Sequence, residues 1–158
     1  MDLILWRHAE AEDGEPDARR ALTSKGKRHA ARVGEWLDQQ LPEQCRVLVS
    51  PAVRCLQTAD GLGRRYTIHE ALNTDSTAER MFEACGWPGH RFPALLIGHQ
   101  PLLGELAALI LAGAAQPWKI RKAGVFWIKG SDAEDSIPFI RLAVGAGPDR
   151  QTALTFPR

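Results

Sequence analysis

Three apolar runs in this sequence each end in side chains that bind anions or move protons. Leu3-Ile4-Leu5-Trp6 passes directly into Arg7 and His8. Val47-Leu48-Val49 passes through Ser50-Pro51 to Arg54, and Ala94 to Ile97 passes through Gly98 to His99. In open α/β sheets, ligands bind just beyond the carboxyl ends of the strands. If these runs are parallel neighbours, two guanidiniums and two imidazoles converge on one crevice. Such a set, with helix N-termini beside it, favours an anion with several oxygens. Phosphate is that kind of ligand: it carries roughly −1.5 to −2 charge and three strong acceptor oxygens. Guanidinium forks hold such oxygens in a fixed geometry. A histidine at the centre is a competent covalent nucleophile, and a second, protonated histidine would stabilise charge on the group in transfer.

The elements that must position these groups follow from hydrophobic periodicity. Strand-length apolar runs alternate with helix-period segments. A helix over Ser24 to Leu41 places Ala30, Val33, Gly34, Leu37 and Leu41 on one stripe, with Thr23 or Ser24 as cap. Ser50-Pro51 reads as the N-cap and first position of a second helix running to Gly61 or Gly63. Tyr66-Thr67-Ile68 is a weaker strand, followed by a polar helix from Ser76 to Cys85. Pro101 opens an apolar helix that ends at Gly113. Gly124 to Lys129 and Phe139 to Val144 read as two last strands joined by an acidic turn. This order predicts an α/β fold, a three-layer α/β/α sandwich with a mostly parallel central sheet and one antiparallel edge strand. A single domain over 1–158 is expected, its tail after Gly145 loosely ordered.

Bulk composition narrows the partners. Among 158 residues, 20 Lys and Arg stand against 19 Asp and Glu, for a net charge of +1. That balance gives no global attraction to nucleic acid or an anionic membrane, so any anion preference must be local. Cys45, Cys55 and Cys85 have no paired spacing, which argues against a disulfide framework. No secretory signal is read at the start, and Leu102 to Ala115 is too short to span a bilayer, so the expected location is cytoplasmic. The five histidines show no zinc-type spacing, and neither metal nor other cofactor is expected. His29 is read as part of a solvated helix face, and His69 and His90 as structural. Any one arginine alone would be read as a surface residue. The coincidence of three strand ends makes the case.

The same residues carry a family resemblance. Leu5-Trp6-Arg7-His8-Ala9 resembles the Arg-His-Gly signature that ends the first strand in the histidine phosphatase superfamily, the phosphoglycerate mutase-like fold. Ser50-Pro51-Ala52-Val53-Arg54-Cys55-Leu56-Gln57-Thr58-Ala59 matches its Ser-Pro-x-x-Arg-x-x-Gln-Thr-Ala segment. Gly98-His99-Gln100-Pro101 resembles its second histidine motif. The stretch from Asp17 to Thr23 is similar to the Asp-x-x-Arg-x-Leu-Thr of the SixA-type phosphohistidine phosphatase branch. Ala9 departs from the usual glycine, as SixA-like chains tolerate. Mutase-like members carry a glutamate in an insertion after the second helix, where this chain offers Glu70.

The resemblance implies that His8 attacks phosphorus in line. Arg7, Arg54 and His99 then hold the non-bridging oxygens, Arg20 is a further contact, and water releases phosphate. Among Glu10, Asp13, Glu15 and Asp17, the last is chosen as general acid because it matches the SixA-like stretch and lies near Arg20. The short connections leave little chain for a lid, which favours a phosphohistidine-bearing protein as substrate over a small metabolite.

Three rivals stand beside this reading. A phosphatase or mutase acting on a small phosphorylated metabolite would use the same pocket, as would a non-catalytic module that binds phosphorylated ligands. Cys85-Gly86-Trp87-Pro88-Gly89-His90-Arg91 also fits the Cys-x5-Arg pattern of cysteine phosphatases. It lacks the strand before and the helix after that would activate the thiol.

Overall fold

The computed structural model describes residues 1–130 and 137–147. Six strands form one sheet: β1 (Asp2–Arg7), β2 (Arg46–Val49), β3 (Thr67–Ile68), β4 (Ala94–Gly98), β5 (Val125–Lys129) and β6 (Phe139–Val144). Their order across the sheet is β3-β2-β4-β1-β5-β6. β3, β2, β4 and β1 pair in parallel. β5 runs antiparallel to β1, and β6 antiparallel to β5. The predicted antiparallel edge is present as the β5–β6 pair: the edge strand β6 runs against β5, which itself runs against β1. β5 and β6 form an antiparallel pair, which returns β6 to the direction of β1. Residues 131–136, the acidic turn of the sequence reading, lie outside the described residues.

Among the described residues, four helices cover the two faces: α1 (Ser24–Gln40), α2 (Val53–Asp60), α3 (Ala78–Cys85) and α4 (Leu102–Ala112). β4 is buried along its whole length, as a central strand covered on both faces must be. Ile4, Trp6, Leu95 and Ile97 point to the α1–α2 side, where Val33, Leu37, Cys55 and Ala59 meet them. Leu3, Leu5 and Leu96 point to the other side, against Met81 of α3 and Leu103 and Leu106 of α4. The alternation along β1 thus builds two cores and three layers.

Local chemistry sets the ends of the helices. The Thr23 hydroxyl accepts from Gly26 N at 2.9 Å and starts α1, and Thr77 does the same for α3. Gly113 closes α4 at φ +79°, a conformation that favours glycine. A Cβ on Gly34 of α1 would strike the Gly61 carbonyl, so glycine here lets the two helices on that face pack backbone to backbone.

Two expectations change. Ser50 is not a helix cap: the chain bends at Pro51 and Ala52, where Ala52 N donates to Ser50 Oγ at 3.3 Å, and α2 begins at Val53 with no side-chain cap. His29 is not on a solvated face. It sits on the inner side of α1 and is buried, because it lies four residues before Val33 on the apolar stripe. The tail is read in part: Ala146 is buried and its carbonyl accepts from Arg32 Nη1 at 2.9 Å, while residues 148–158 lie outside the described residues.

Candidate active site

The carboxyl ends of β1, β2 and β4 lie side by side, as the parallel register requires. His8 follows β1, its N–H donating to the Gly98 carbonyl at 3.0 Å and its carbonyl accepting from Ala123 N at 3.1 Å. Its backbone is thus fixed between the end of β4 and the loop before β5. Ala9 N donates to Thr58 Oγ1 at 3.1 Å, and that hydroxyl donates to the Arg54 carbonyl at 2.7 Å. The turn carrying His8 is therefore tied to the helix carrying Arg54.

The imidazole of His8 is oriented by one bond. Nδ1 lies 2.8 Å from the Ala9 carbonyl oxygen. A carbonyl only accepts, so Nδ1 carries the proton and Nε2 the lone pair. Burial, with Arg54, Arg7 and Arg20 nearby, pushes the His8 pKa down to about 4. The ring is neutral at neutral pH.

His99 stands against His8 with ring centroids 5.3 Å apart at 61°. Its Nδ1 lies 3.3 Å from Arg54 Nη2, a group that only donates. Its Nε2–H therefore donates to Ser50 Oγ at 2.8 Å. Burial, with His8 and Arg54 adjacent, lowers its pKa to about 3. The idea of a protonated second histidine is corrected on this point: in this arrangement His99 is neutral. Ser50, read from sequence as a cap, is the residue that holds it.

Arg54 is buried in the first turn of α2. It donates from Nη1 to the Asp17 carbonyl at 2.9 Å and from Nη2 to Asp17 Oδ2 at 3.0 Å. Arg20 donates from Nε to Asp17 Oδ1 at 3.0 Å and from Nη1 to the Glu12 carbonyl at 3.1 Å. Hydrogen bonding from Arg54, then from Arg20, holds the half-exposed Asp17 carboxyl below its usual range despite some desolvation. Arg7 donates from Nη1 to the Ile120 carbonyl at 2.9 Å. Arg7 Nε and Arg54 Nε are buried and have no acceptor among the described residues. Unsatisfied buried donors cost about 1–3 kcal/mol each. Both guanidiniums line one pocket, where they concentrate the positive charge that an anion would meet.

The pocket has a volume of about 240 Å³. Arg7, His8, Arg20, Arg54 and His99 all line it, so five of the six residues expected at the site come together there. Asp17 sits behind, bonded to the two arginines. The wall adds Asp13, Thr74, Gln100 and Lys122. Lys122 was missed: nothing in its surroundings in the sequence points to His8, and only the β1–β5 pairing brings it there. Glu70 is exposed and stands outside the pocket lining. His69 and His90 accept from the turn N–H groups of Ala71 and Phe92, as structural histidines do. The Cys85–Arg91 alternative does not hold. Cys85 ends α3 buried, its thiol donates to the Phe82 carbonyl at 3.2 Å, and burial pushes its pKa up. Arg91 lies over the Phe92 ring instead of near the sulfur.

This geometry agrees with what the chain is similar to. The sequence profile of the histidine phosphatase superfamily (branch 1) matches residues 3–100. The phosphohistidine phosphatase SixA of Escherichia coli (strain K12) is 33% identical over 132 residues, covering 74% of this chain and 78% of that protein. The structure of the protein histidine phosphatase SixA complexed with tungstate superposes with a TM-score of 0.74 at 23% identity, over 92% of this chain and 97% of that one. A mycobacterial glucosyl-3-phosphoglycerate phosphatase with inorganic phosphate gives 0.70 at 17% identity, over 92% and 98%. At these identities the two structural likenesses speak for the fold alone.

Proposed function

The chain belongs to the histidine phosphatase superfamily, and on that premise we propose that it hydrolyses phosphohistidine in proteins through a covalent intermediate on His8. The observation that carries this reading is the Nδ1–H bond of His8 to the Ala9 carbonyl, which leaves a neutral ring with its lone pair on Nε2 in the phosphate pocket. Nε2 attacks phosphorus, and the P–N bond to the substrate imidazole breaks. The departing nitrogen takes up a proton. Water then attacks the phosphoryl group on His8, and inorganic phosphate leaves with His8 restored. Arg7 and Arg54 turn their unsatisfied donors to the non-bridging oxygens, where charge stabilisation matters most. Arg20 and Lys122 add positive charge at the rim, and His99, held by Ser50, offers a neutral ring beside the transferring group.

Asp17 is the proposed proton donor, and its setting says when it can act. While Arg54 and Arg20 grip it, it is ionised. A phosphoryl group that draws those guanidiniums to its own oxygens removes the bonds that depress the Asp17 pKa and brings negative charge beside it. Both effects favour the protonated form.

The substrate class follows from size and cover. The pocket around His8, about 240 Å³, is continuous with open surface beside Arg7 and Lys122 and is not closed over a small ligand. Between α2 and β4 the chain builds β3, a 3₁₀ turn and α3, with no separate lid. A side chain presented on a protein surface suits such a site. The relative named for phosphohistidine supports this choice. Cys45, Cys55 and Cys85 are all unpaired, which fits a reducing cytoplasmic compartment.

Rapid quenching with a ³²P-labelled phosphohistidine protein tests the mechanism. An acid-labile, base-stable label on His8, absent from His8→Ala, is expected. Label on another residue, or normal turnover by His8→Ala, overturns it. A kcat/KM about a hundredfold higher for a sugar phosphate or phosphoglycerate than for the phosphoprotein overturns the substrate class.

A further inference from the structure

Beside the phosphate pocket lies a larger groove of about 690 Å³. Arg7, Lys25, Lys119, Arg121 and Lys122 line it, against one carboxylate, Glu10. In a chain with a net charge of +1, this is a strong local concentration. Arg7 and Lys122 belong to both cavities, so the groove continues the catalytic pocket. Lys25, Lys119, Arg121 and Lys122 are exposed, and none makes an ion pair among the described residues. Crowding unpaired like charges costs stability, and no carboxylate among the described residues pairs with these four.

The segment that carries three of these cations is held rigidly. The Trp118 carbonyl accepts from Gln100 Nε2 at 2.8 Å, and the Ile120 carbonyl accepts from Arg7. Ala123 N donates to the His8 carbonyl, and its own carbonyl accepts from Trp6 Nε1 at 3.1 Å. Lys119, Arg121 and Lys122 thus project from a backbone anchored to β1, to the start of α4 and to the site itself.

We infer that this groove is a docking surface for an acidic face of the phosphorylated protein, adjacent to its phosphohistidine. The inference rests on the substrate class proposed above. Two features favour a protein surface over a small polyphosphate. Phosphoryl groups in the first pocket meet buried guanidiniums in fixed geometry, whereas the groove offers exposed, flexible point charges. The groove is also far larger than one more phosphoryl group requires. Exposed cations act at longer range, speeding encounter and setting orientation, and salt screens them.

The test uses the full chain and two fluorescent peptides. Both carry a non-hydrolysable phosphohistidine analogue, one flanked by six glutamates and the other by six glutamines. At low ionic strength the glutamate peptide should bind at least about tenfold tighter, and 0.5 M NaCl should remove most of the difference. The triple variant Lys25→Glu, Lys119→Glu, Arg121→Glu should abolish the preference while its turnover of p-nitrophenyl phosphate stays within about twofold. Equal binding of the two peptides by the unmodified chain, or a preference that survives in the variant, overturns the docking surface. So does a variant that loses inorganic tripolyphosphate binding yet keeps the glutamate preference, which would assign the groove to a small polyanion. Binding is read without turnover. A chain that prefers the glutamate peptide but hydrolyses no phosphohistidine protein therefore refutes the proposed function separately.

Discussion

Arg54 and Asp17 are joined twice, Nη1 to the Asp17 carbonyl at 2.9 Å and Nη2 to its carboxylate at 3.0 Å. One residue thus fixes the guanidinium that must meet phosphate and also supplies the proposed proton. The two roles separate by leaving group. General acids typically contribute about 10²–10⁴ in rate, and the contribution grows as the leaving group becomes more basic. Asp17→Asn keeps the backbone carbonyl bond to Arg54. It should slow unactivated phosphomonoesters by about 10²-fold or more and p-nitrophenyl phosphate by only a few-fold. A uniform loss across leaving groups would assign Asp17 to the positioning of Arg54 and Arg20 alone. Asp13, which lines the pocket wall, is the control: Asp13→Asn should leave the leaving-group dependence unchanged.

The lowered pKa of His8 has consequences for activity and for stability. If His8 is the nucleophile as proposed, a ring that stays neutral down to about pH 4 keeps kcat/KM from falling on its account between pH 7 and 5. For stability, the folded pKa is about 4 against the ordinary histidine value of 6.5, so the unfolded chain binds more protons between these values. Stability is therefore lost as pH falls through that window and levels off below it. At about 1.4 kcal/mol per pH unit for one proton, the loss from His8 between pH 6.5 and 5 is about 2 kcal/mol. His8→Ala should flatten this part of the profile. Chemical unfolding at pH 7 and pH 5 checks it, and an unchanged slope in the variant would rule out His8 as the source.

How far the sequence reaches is clearest from particular residues. Arg7, His8, Arg54 and His99 were legible because each follows an apolar run within a few positions, and a parallel sheet converts that pattern into one crevice. Local signals also placed Thr23 and Gly113 at helix ends. Ser50 misled because Ser-Pro before a helix has the form of a cap, and only the packed structure shows that the chain bends for two more residues before the helix starts. His29 misled because the four residues before it are three charged side chains and a glycine, while its spacing to Val33 puts it on the buried stripe. Lys122 was invisible for another reason. Its place depends on contacts across more than a hundred positions, such as Arg7 to the Ile120 carbonyl, and no local pattern encodes them.

Gly104 offers a test of that long-range support. It lies inside α4, where alanine would ordinarily stabilise a helix by about 1 kcal/mol relative to glycine. Here a Cβ would collide with the Trp118 carbonyl oxygen and crowd the Gln100 amide that holds it. Backbone cannot yield as the end of a flexible side chain can, so the segment from Trp118 to Ile120 must shift. Ile120 carries the carbonyl that orients Arg7, and the Gln100 side chain also accepts from Gly104 N at 2.9 Å. Gly104→Ala should therefore lower the unfolding temperature, against the helix-propensity trend, and reduce kcat/KM on p-nitrophenyl phosphate by about tenfold or more through a misplaced Arg7. Thermal unfolding and steady-state kinetics on the same preparation decide the matter. A variant that is more stable and fully active would show that the Trp118 segment moves without disturbing Arg7. A variant that is less stable yet fully active would show that the guanidinium does not depend on its Ile120 tether.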